Sequence, residues 1–383
     1  MDGAASGAAS GAKRVRFHVV GGFLGAGKTT ALLRLAAQFQ ADGLRVGLIT
    51  NDQAANLVDT GAARAGGFRV EEVAGACFCC KFDDLARLAE KLRVEERPDV
   101  LIGEPVGSCT DLAATVVKPL ERLYGQHYTL APYSVLVDPT RARQLVLQRG
   151  FGGFSAKVAY LFLKQLEEAD LIGLNKVDLL APAERDELQA ALAREFPKAR
   201  VLPLSGLTGE GFADWRALLS EATPAGANIA AVDYDLYAEA EAELGWLNLA
   251  FAVAAPRPFD AEALVRDAVA ALARELATLC RGEEGEVAHA KILFEADGAT
   301  VIANHVGGGS AVRVSRPGPL RASRGRLIVN ARVHLAPERL RAAADRALAQ
   351  LFAPLAATAT LLDAAQFRPG RPVPIHRDRS TSG

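Results

Sequence analysis

From Arg14 onward, short apolar runs alternate with longer stretches whose apolar residues recur at spacings of three and four. Runs of four to six apolar residues, too short for helices and continuous rather than alternating, predict strands buried on both faces. They fall at Val15–Val20, Arg45–Thr50, Val100–Gly103, Ser134–Val137, Leu171–Leu174 and Arg200–Leu204. Between them, helices are predicted over Asp83–Glu95, Asp111–Leu123, Ala156–Glu168 and Ala183–Glu195. Strands alternating with helices in this way define an α/β fold with a mainly parallel sheet covered on both sides.

The pattern changes at Thr223–Asn228, a Thr-Pro-Ala-Gly-Ala-Asn run of loop composition, and an acidic stretch follows from Asp233 to Glu243. Beyond it the chain reads as a strand at Trp246–Val253 and a helix at Ala261–Leu279. A hairpin turning at Asp297-Gly298, a strand at Arg326–Val333 and a helix from Pro337 to Leu351 come next. A smaller α+β domain with a helix-backed antiparallel sheet is expected there. The expected division is therefore a flexible start at residues 1–12, a first domain at 13–222, a second at 223–366 and a disordered tail at 367–383, the tail being rich in Pro and Arg.

Composition narrows the function. A chain of 383 residues, half of them apolar, is long enough for two cores. Its formal net charge of −1 offers no basic face for a phosphate backbone, which argues against nucleic acid as a partner. No apolar run approaches the roughly 20 residues that span a bilayer. The first dozen residues are small and flexible rather than signal-like, so a soluble cytoplasmic protein is expected. Three of the five cysteines crowd into Cys77, Cys79 and Cys80, a spacing that cannot staple distant segments. Reduced thiols follow.

Gly22-Phe-Leu-Gly-Ala-Gly-Lys-Thr29 lies between the first strand and a helix, the context required of the GxxxxGK[ST] phosphate loop. Gly22, Gly25 and Gly27 let the backbone turn so that N–H groups converge on phosphate oxygens, joined by Ala26 and Thr30. Lys28 would reach the outer phosphates, and the Thr29 hydroxyl would ligate Mg²⁺. The bland alternative is a glycine-rich connector.

Asn175-Lys176-Val-Asp178 ends a buried strand at the sheet edge where ligands of such folds bind. Asp178 can accept from two N–H donors on the edge of guanine, which selects GTP, while Asn175 and Lys176 brace the loop. Ser205, after the next strand, is placed to contact the base. Alone, the tetrapeptide is also a helix-start turn; downstream of a phosphate loop it reads as guanine recognition. Glu104, ending another strand, can hold a water on Mg²⁺, and the Gly107 N–H can sense the terminal phosphate. Asp52 is a second acid near the metal, with a loop or cap carboxylate as its bland reading.

Cys77, Cys79 and Cys80 can close on one Zn²⁺ or Co²⁺ and leave a fourth position for water or another protein. Burial of three small hydrophobes is the alternative, and a bridge between adjacent Cys79 and Cys80 would be strained. Cys109 is read as packing, with an added ligand as the other option, and Cys280 as structural. His289, His305 and His334, with no close spacing, are read as ordinary residues.

Together the phosphate loop, the Glu104-x-x-Gly107 sensor, the CxCC triplet, the NKVD motif and Gln165–Asp170 before it resemble the CobW-like GTPases, relatives of the urease and hydrogenase maturation GTPases. The likeness covers roughly residues 15 to 210. Glu104-Pro-Val-Gly-Ser-Cys109 and Thr50-Asn-Asp-Gln53 look most like the branch of cobalamin-biosynthesis and nitrile hydratase activator proteins. The chain has Ala76 where the family usually has Gly, Asp52 where it has Glu, and no long His-rich loop in its second domain. The resemblance implies a GTP-dependent metallochaperone that delivers zinc, cobalt or a similar ion to a client protein. Whether the chain self-associates as a homo-oligomer is left open. Two rivals stand beside it: a GTPase switch with structural cysteines, and a metal-storage module with a vestigial nucleotide site.

Overall fold

The computed structural model describes residues 13–52, 58–148, 150, 153–280, 285–307, 311–316 and 320–379. Strands β1 (Val15–Gly22), β2 (Val46–Asp52), β3 (Arg69–Ala74), β4 (Val100–Glu104), β5 (Tyr128–Leu130), β6 (Ser134–Val137), β7 (Leu171–Leu174) and β8 (Arg200–Pro203) form one sheet. Its order is β3-β2-β4-β1-β6-β7-β8, with β5 beside the start of β1, and every pairing is parallel. The central strands β4, β6 and β7 are buried throughout, which is why they read as unbroken apolar runs.

Helices α1 (Lys28–Ala41), α2 (Val58–Ala65), α3 (Phe82–Glu95), α4 (Lys118–Tyr124), α5 (Pro139–Ala142), α6 (Ala156–Glu167), α7 (Pro182–Glu195), α8 (Phe212–Leu219) and α9 (Tyr234–Ala242) accompany this sheet. The helix expected over Asp111–Leu123 is divided: a π-helical turn occupies Ala113–Val117 and α4 continues from it. Pro119 at the start of α4 has no N–H to give, which interrupts the regular ladder. The acidic stretch at Asp233–Glu243 forms α9, whose Tyr237 and Ala240 pack against Leu161 of α6.

A second sheet begins at Gly245. Strands β9 (Gly245–Asp260), β10 (Val287–Ala296), β11 (Ala299–His305), β12 (Arg313–Arg316), β13 (Arg321–Val333) and β14 (Thr358–Phe367) run antiparallel in the order β12-β11-β10-β13-β9-β14. Helices α10 (Ala261–Leu279) and α11 (Pro337–Phe352) cover one face and build its apolar core. On the other face, Leu293, Ile302 and Ile328 pack against Val58 and Ala62 of α2. That contact sets the second sheet over the carboxyl edge of the first.

The tail expected to be disordered is held along residues 368–379. The Ile375 N–H donates to the Cys79 carbonyl (3.1 Å) and the Asp378 N–H to the Ala114 carbonyl (2.9 Å). The Arg377 guanidinium donates to the buried Asp111 carboxylate (2.7 Å). Residues 1–12 and 380–383 lie outside the described residues. No helix among the described residues is long and apolar enough to cross a membrane.

Candidate functional site

Gly22, Gly25 and Gly27 all have positive φ (132°, 82° and 85°), the conformation that lets the chain fold back from β1 into α1. At Gly27 a Cβ would come within 2.6 Å of the Asn175 amide nitrogen. Lys28 turns inward and donates to the Gly22 carbonyl at 2.8 Å. Burial lowers its pKa, opposed by Glu104 and assisted by Lys291.

Thr29 stands between two acids. Its hydroxyl lies 2.7 Å from Asp59 Oδ1 and 2.9 Å from Glu104 Oε1. Burial, then the negative charge of Asp59, pushes the Glu104 carboxyl up to about 7. At Asp59 burial alone would raise the pKa; the Lys291 ammonium, 2.6 and 2.8 Å from the two carboxylate oxygens, outweighs it and lowers the value. A hydroxyl and two carboxylates converging here form the hard oxygen donor set that suits Mg²⁺. Asp52 closes β2, and its side chain lies outside the described residues.

Asn175 braces the phosphate loop: its amide donates to the Ala26 carbonyl (2.8 Å) and accepts from the Gly206 N–H (2.9 Å). Lys176, in the left-handed region at φ 62°, reaches back to the Gly25 carbonyl (2.7 Å) and Asp138 (2.8 Å). Asp178 accepts from the Ser205 hydroxyl at 2.6 Å. Asn175, Lys176 and Asp178, with Thr30 and Gly107, line one cavity of about 640 Å³, to which the second sheet adds His289, Lys291 and Arg313, while Ser205 is buried behind Asp178 and is not part of the lining.

The three sulfurs also converge. Cys77 Sγ lies 3.0 Å from Cys79 Sγ and 3.2 Å from Cys80 Sγ, with 3.8 Å between the latter two. Asn51 shapes their loop, donating to the Val73 and Ala76 carbonyls (2.8 and 2.7 Å) and accepting from the Phe78 N–H (2.8 Å). Hydrogen bonds from Cys109, then Cys79 and Cys80, push the Cys77 thiol well down, while the bond to Cys77 raises Cys80 to about 11. The Val373 N–H, from the carboxyl-terminal run, donates to Cys80 Sγ at 3.1 Å.

A parallel sheet whose first strand breaks at glycines in left-handed conformation, with a buried lysine opening the next helix, defines a P-loop nucleotide-binding domain. Residues 16–203 match the family described as CobW/HypB/UreG, nucleotide-binding domain. This part of the chain belongs to that P-loop GTPase family. Among its relatives, the zinc chaperone CobW of a Sinorhizobium species is 29% identical over 200 residues, 46% of this chain and 56% of that protein. The zinc-regulated GTPase metalloprotein activator 1 of Dictyostelium discoideum is 25% identical over 242 residues, 54% of this chain and 50% of that protein. This chain therefore spans about half the length of the curated relatives it matches. The Zn(II)-bound YjiA GTPase from E. coli is 18% identical, with a TM-score of 0.36 over 89% of this chain and 99% of that one.

Sequence reading missed Asp59, Lys291, Arg313 and the linking role of Asn51. Lys291 and Arg313 belong to a sheet whose contact with the first is invisible in linear spacing. Asp59 carried one signal, an acid opening an amphipathic helix that follows β2. His289 was read as ordinary; it lines the cavity, and burial followed by nearby Lys291 holds its pKa well below the usual range.

Proposed function

We propose that the chain is a GTP-hydrolysing metallochaperone that takes up zinc or cobalt on Cys77, Cys79 and Cys80 and passes it to a metal-requiring client protein in the cytoplasm. The observation that carries this reading is a pair of physical links between a hard oxygen site and a soft sulfur site. Asn51 lines the nucleotide cavity and ties down the cysteine loop. The six-residue run from Glu104 to Cys109 begins at the oxygen site and ends against Cys77. The zinc chaperone among the relatives supports the choice of cargo.

In this reading Lys28 and the amides of Gly22 through Thr30 hold the phosphates, with the Gly107 N–H at the terminal one. Thr29, Glu104 and Asp59 fit Mg²⁺ and would hold it, and Asp52 at the end of β2 is proposed as a further acid. When bound, Mg²⁺ neutralises charge developing on the transferred phosphoryl group. Asn175, Lys176, Asp178 and Ser205 select guanine. Asp59 is paired with Lys291, and Glu104 begins the run that ends at Cys109, so both acids of the oxygen site are tied to further parts of the chain.

A second reading, in which the thiols pack the core of a GTPase switch, draws on the burial of Cys77 and Cys79. Purified protein supplied with zinc, GTP and Mg²⁺ separates the two. Turnover together with bound zinc that is lost in the triple Cys→Ser variant supports transfer, whereas unchanged stability and turnover in that variant support packing. Lys28→Ala is expected to lower turnover by roughly two to three orders of magnitude and leave zinc content intact. A pure protein that binds neither GTP nor zinc would overturn the proposal.

A further inference from the structure

The cysteine loop has one open side. Cys77 and Cys79 are 3% and 1% exposed, whereas Cys80 is half-buried, so whatever reaches the cluster approaches past Cys80. That approach is crossed by residues 371–378, the run Arg-Pro-Val-Pro-Ile-His-Arg-Asp. We propose that the cysteine loop and Asp111 form a docking groove for an extended, proline-containing segment that carries an arginine. Residues 371–378 are its resident occupant, and a client protein reaches the thiols by putting such a segment of its own in their place. The purpose given to the groove rests on the metallochaperone reading, while the docking itself needs no metal.

Backbone chemistry makes the contact. Pro372 and Pro374 have no N–H and bias the run toward an extended course, and the donors between and after them turn to the loop. The Val373 N–H meets Cys80 Sγ at 3.1 Å, and the Ile375 N–H meets the Cys79 carbonyl at 3.1 Å. Farther along, the His376 ring stands edge-on to Phe82 with centroids 4.9 Å apart, and the Asp378 N–H donates to the Ala114 carbonyl at 2.9 Å. The Val373 and Ile375 side chains face outward, 68% and 46% exposed. A contact made through the main chain reads an extended shape, so a foreign segment can form the same bonds.

Asp111 gives the groove its selectivity. It is wholly buried and lies in the left-handed region at φ 65°. The Tyr234 hydroxyl donates to it at 2.6 Å, and the Arg377 guanidinium adds two N–H groups at 2.7 and 3.3 Å. Arg377 also donates to the Ala230 carbonyl at 3.2 Å. The planar fork of arginine suits a carboxylate held in this way, and lysine does not reproduce it. The arginine side chain is 36% exposed against 1% for its partner, so Arg377 can withdraw into water while Asp111 cannot. An uncompensated buried charge is costly, which favours exchange for another arginine over an empty groove. At the far end, Arg122 pairs with Asp378 at 3.0 Å.

Iodoacetamide labelling of Cys80, located by peptide mass mapping in the metal-free full-length protein, reads the strap directly. Replacing both side-chain anchors, Arg122→Ala with Arg377→Ala, should raise the labelling rate by about 10-fold or more, since hydrogen bonds to charged groups are lost. A synthetic peptide of residues 371–378 should return the rate to that of the wild type, and the same peptide with alanine in place of Arg377 should not. In the unsubstituted protein, hydrogen exchange at the Val373, Ile375 and Asp378 amides should be at least about tenfold slower than in the free peptide, a check that needs no variant. Equal labelling rates in wild type and variant, unprotected amides, or a raised rate that the peptide does not lower would overturn the proposal. Absence of zinc binding by the wild type would overturn the metallochaperone reading and leave the docking itself standing.

Discussion

The two ends of the nucleotide domain's working edge are built from opposite materials. At the phosphate end, Gly25 and Gly27, both with positive φ, line a cavity of about 640 Å³, and the polar side chains facing it include hydroxyl, carboxylate and ammonium groups. At the sulfur end, Cys77 and Cys79 are embedded with Phe78 and Phe82 in the main apolar core. One end is shaped for a hydrated, highly charged ligand that comes and goes; the other offers soft donors in a low-dielectric setting. Charged groups respond to each other strongly in such a setting, so a small displacement at the phosphate end can change metal affinity at the sulfur end.

Substitutions should separate the ends. The largest effect is expected from Cys77→Ser, which removes the sulfur the others share. Zinc affinity should fall by more than about 100-fold, because loss of an outer-shell partner alone costs about 10–100-fold. GTP affinity measured without zinc should be unchanged, and its loss would show that the cysteine loop is part of the nucleotide site itself.

Asn51→Ala addresses the link instead. Three hydrogen bonds disappear, a loss of roughly 2–4 kcal/mol in loop order. Both ligands should still bind, but zinc affinity should no longer depend on the nucleotide. Retained dependence in this variant would assign the coupling to Glu104–Cys109 alone.

The smallest effect concerns the strand beneath both ends. His18 of β1 is fully buried, and neither ring nitrogen has a hydrogen-bond partner among the described residues. Burial, then the nearby Arg16, lowers its pKa from 6.5 to about 3. The unfolded chain therefore binds the extra proton first, and stability present above pH 6.5 is lost as pH falls toward 3, by up to about 1.4 kcal/mol per pH unit. His18→Leu should make the acid limb of the stability curve shallower while leaving both sites intact. An unchanged limb in chemical denaturation at stepped pH would contradict this.

Sequence reading served these regions unequally, for physical reasons. The phosphate loop and the NKVD segment are contiguous, so their chemistry is written in consecutive residues. Asp59 and Lys291 meet across 232 positions, and no local pattern announces such a pair. The edge strand β3 was unread because Arg-Val-Glu-Glu-Val-Ala, with one face toward water, lacks the continuous apolar run of its neighbours. Residues 368–379, rich in Pro and Arg, show no periodicity, yet backbone hydrogen bonds to Cys79 and Ala114 and the Arg377–Asp111 pair fix them in place. Such anchoring depends on the partner surface rather than on the segment itself.

Communication between the two ends is decided most directly by zinc affinity, measured by chelator competition with Mg²⁺ and either a non-hydrolysable GTP analogue or GDP. Zinc should bind more tightly in the analogue complex by about 5–150-fold, and zinc should tighten the analogue by the same factor, since binding couplings are reciprocal. Equal zinc affinities in the two nucleotide states would contradict it.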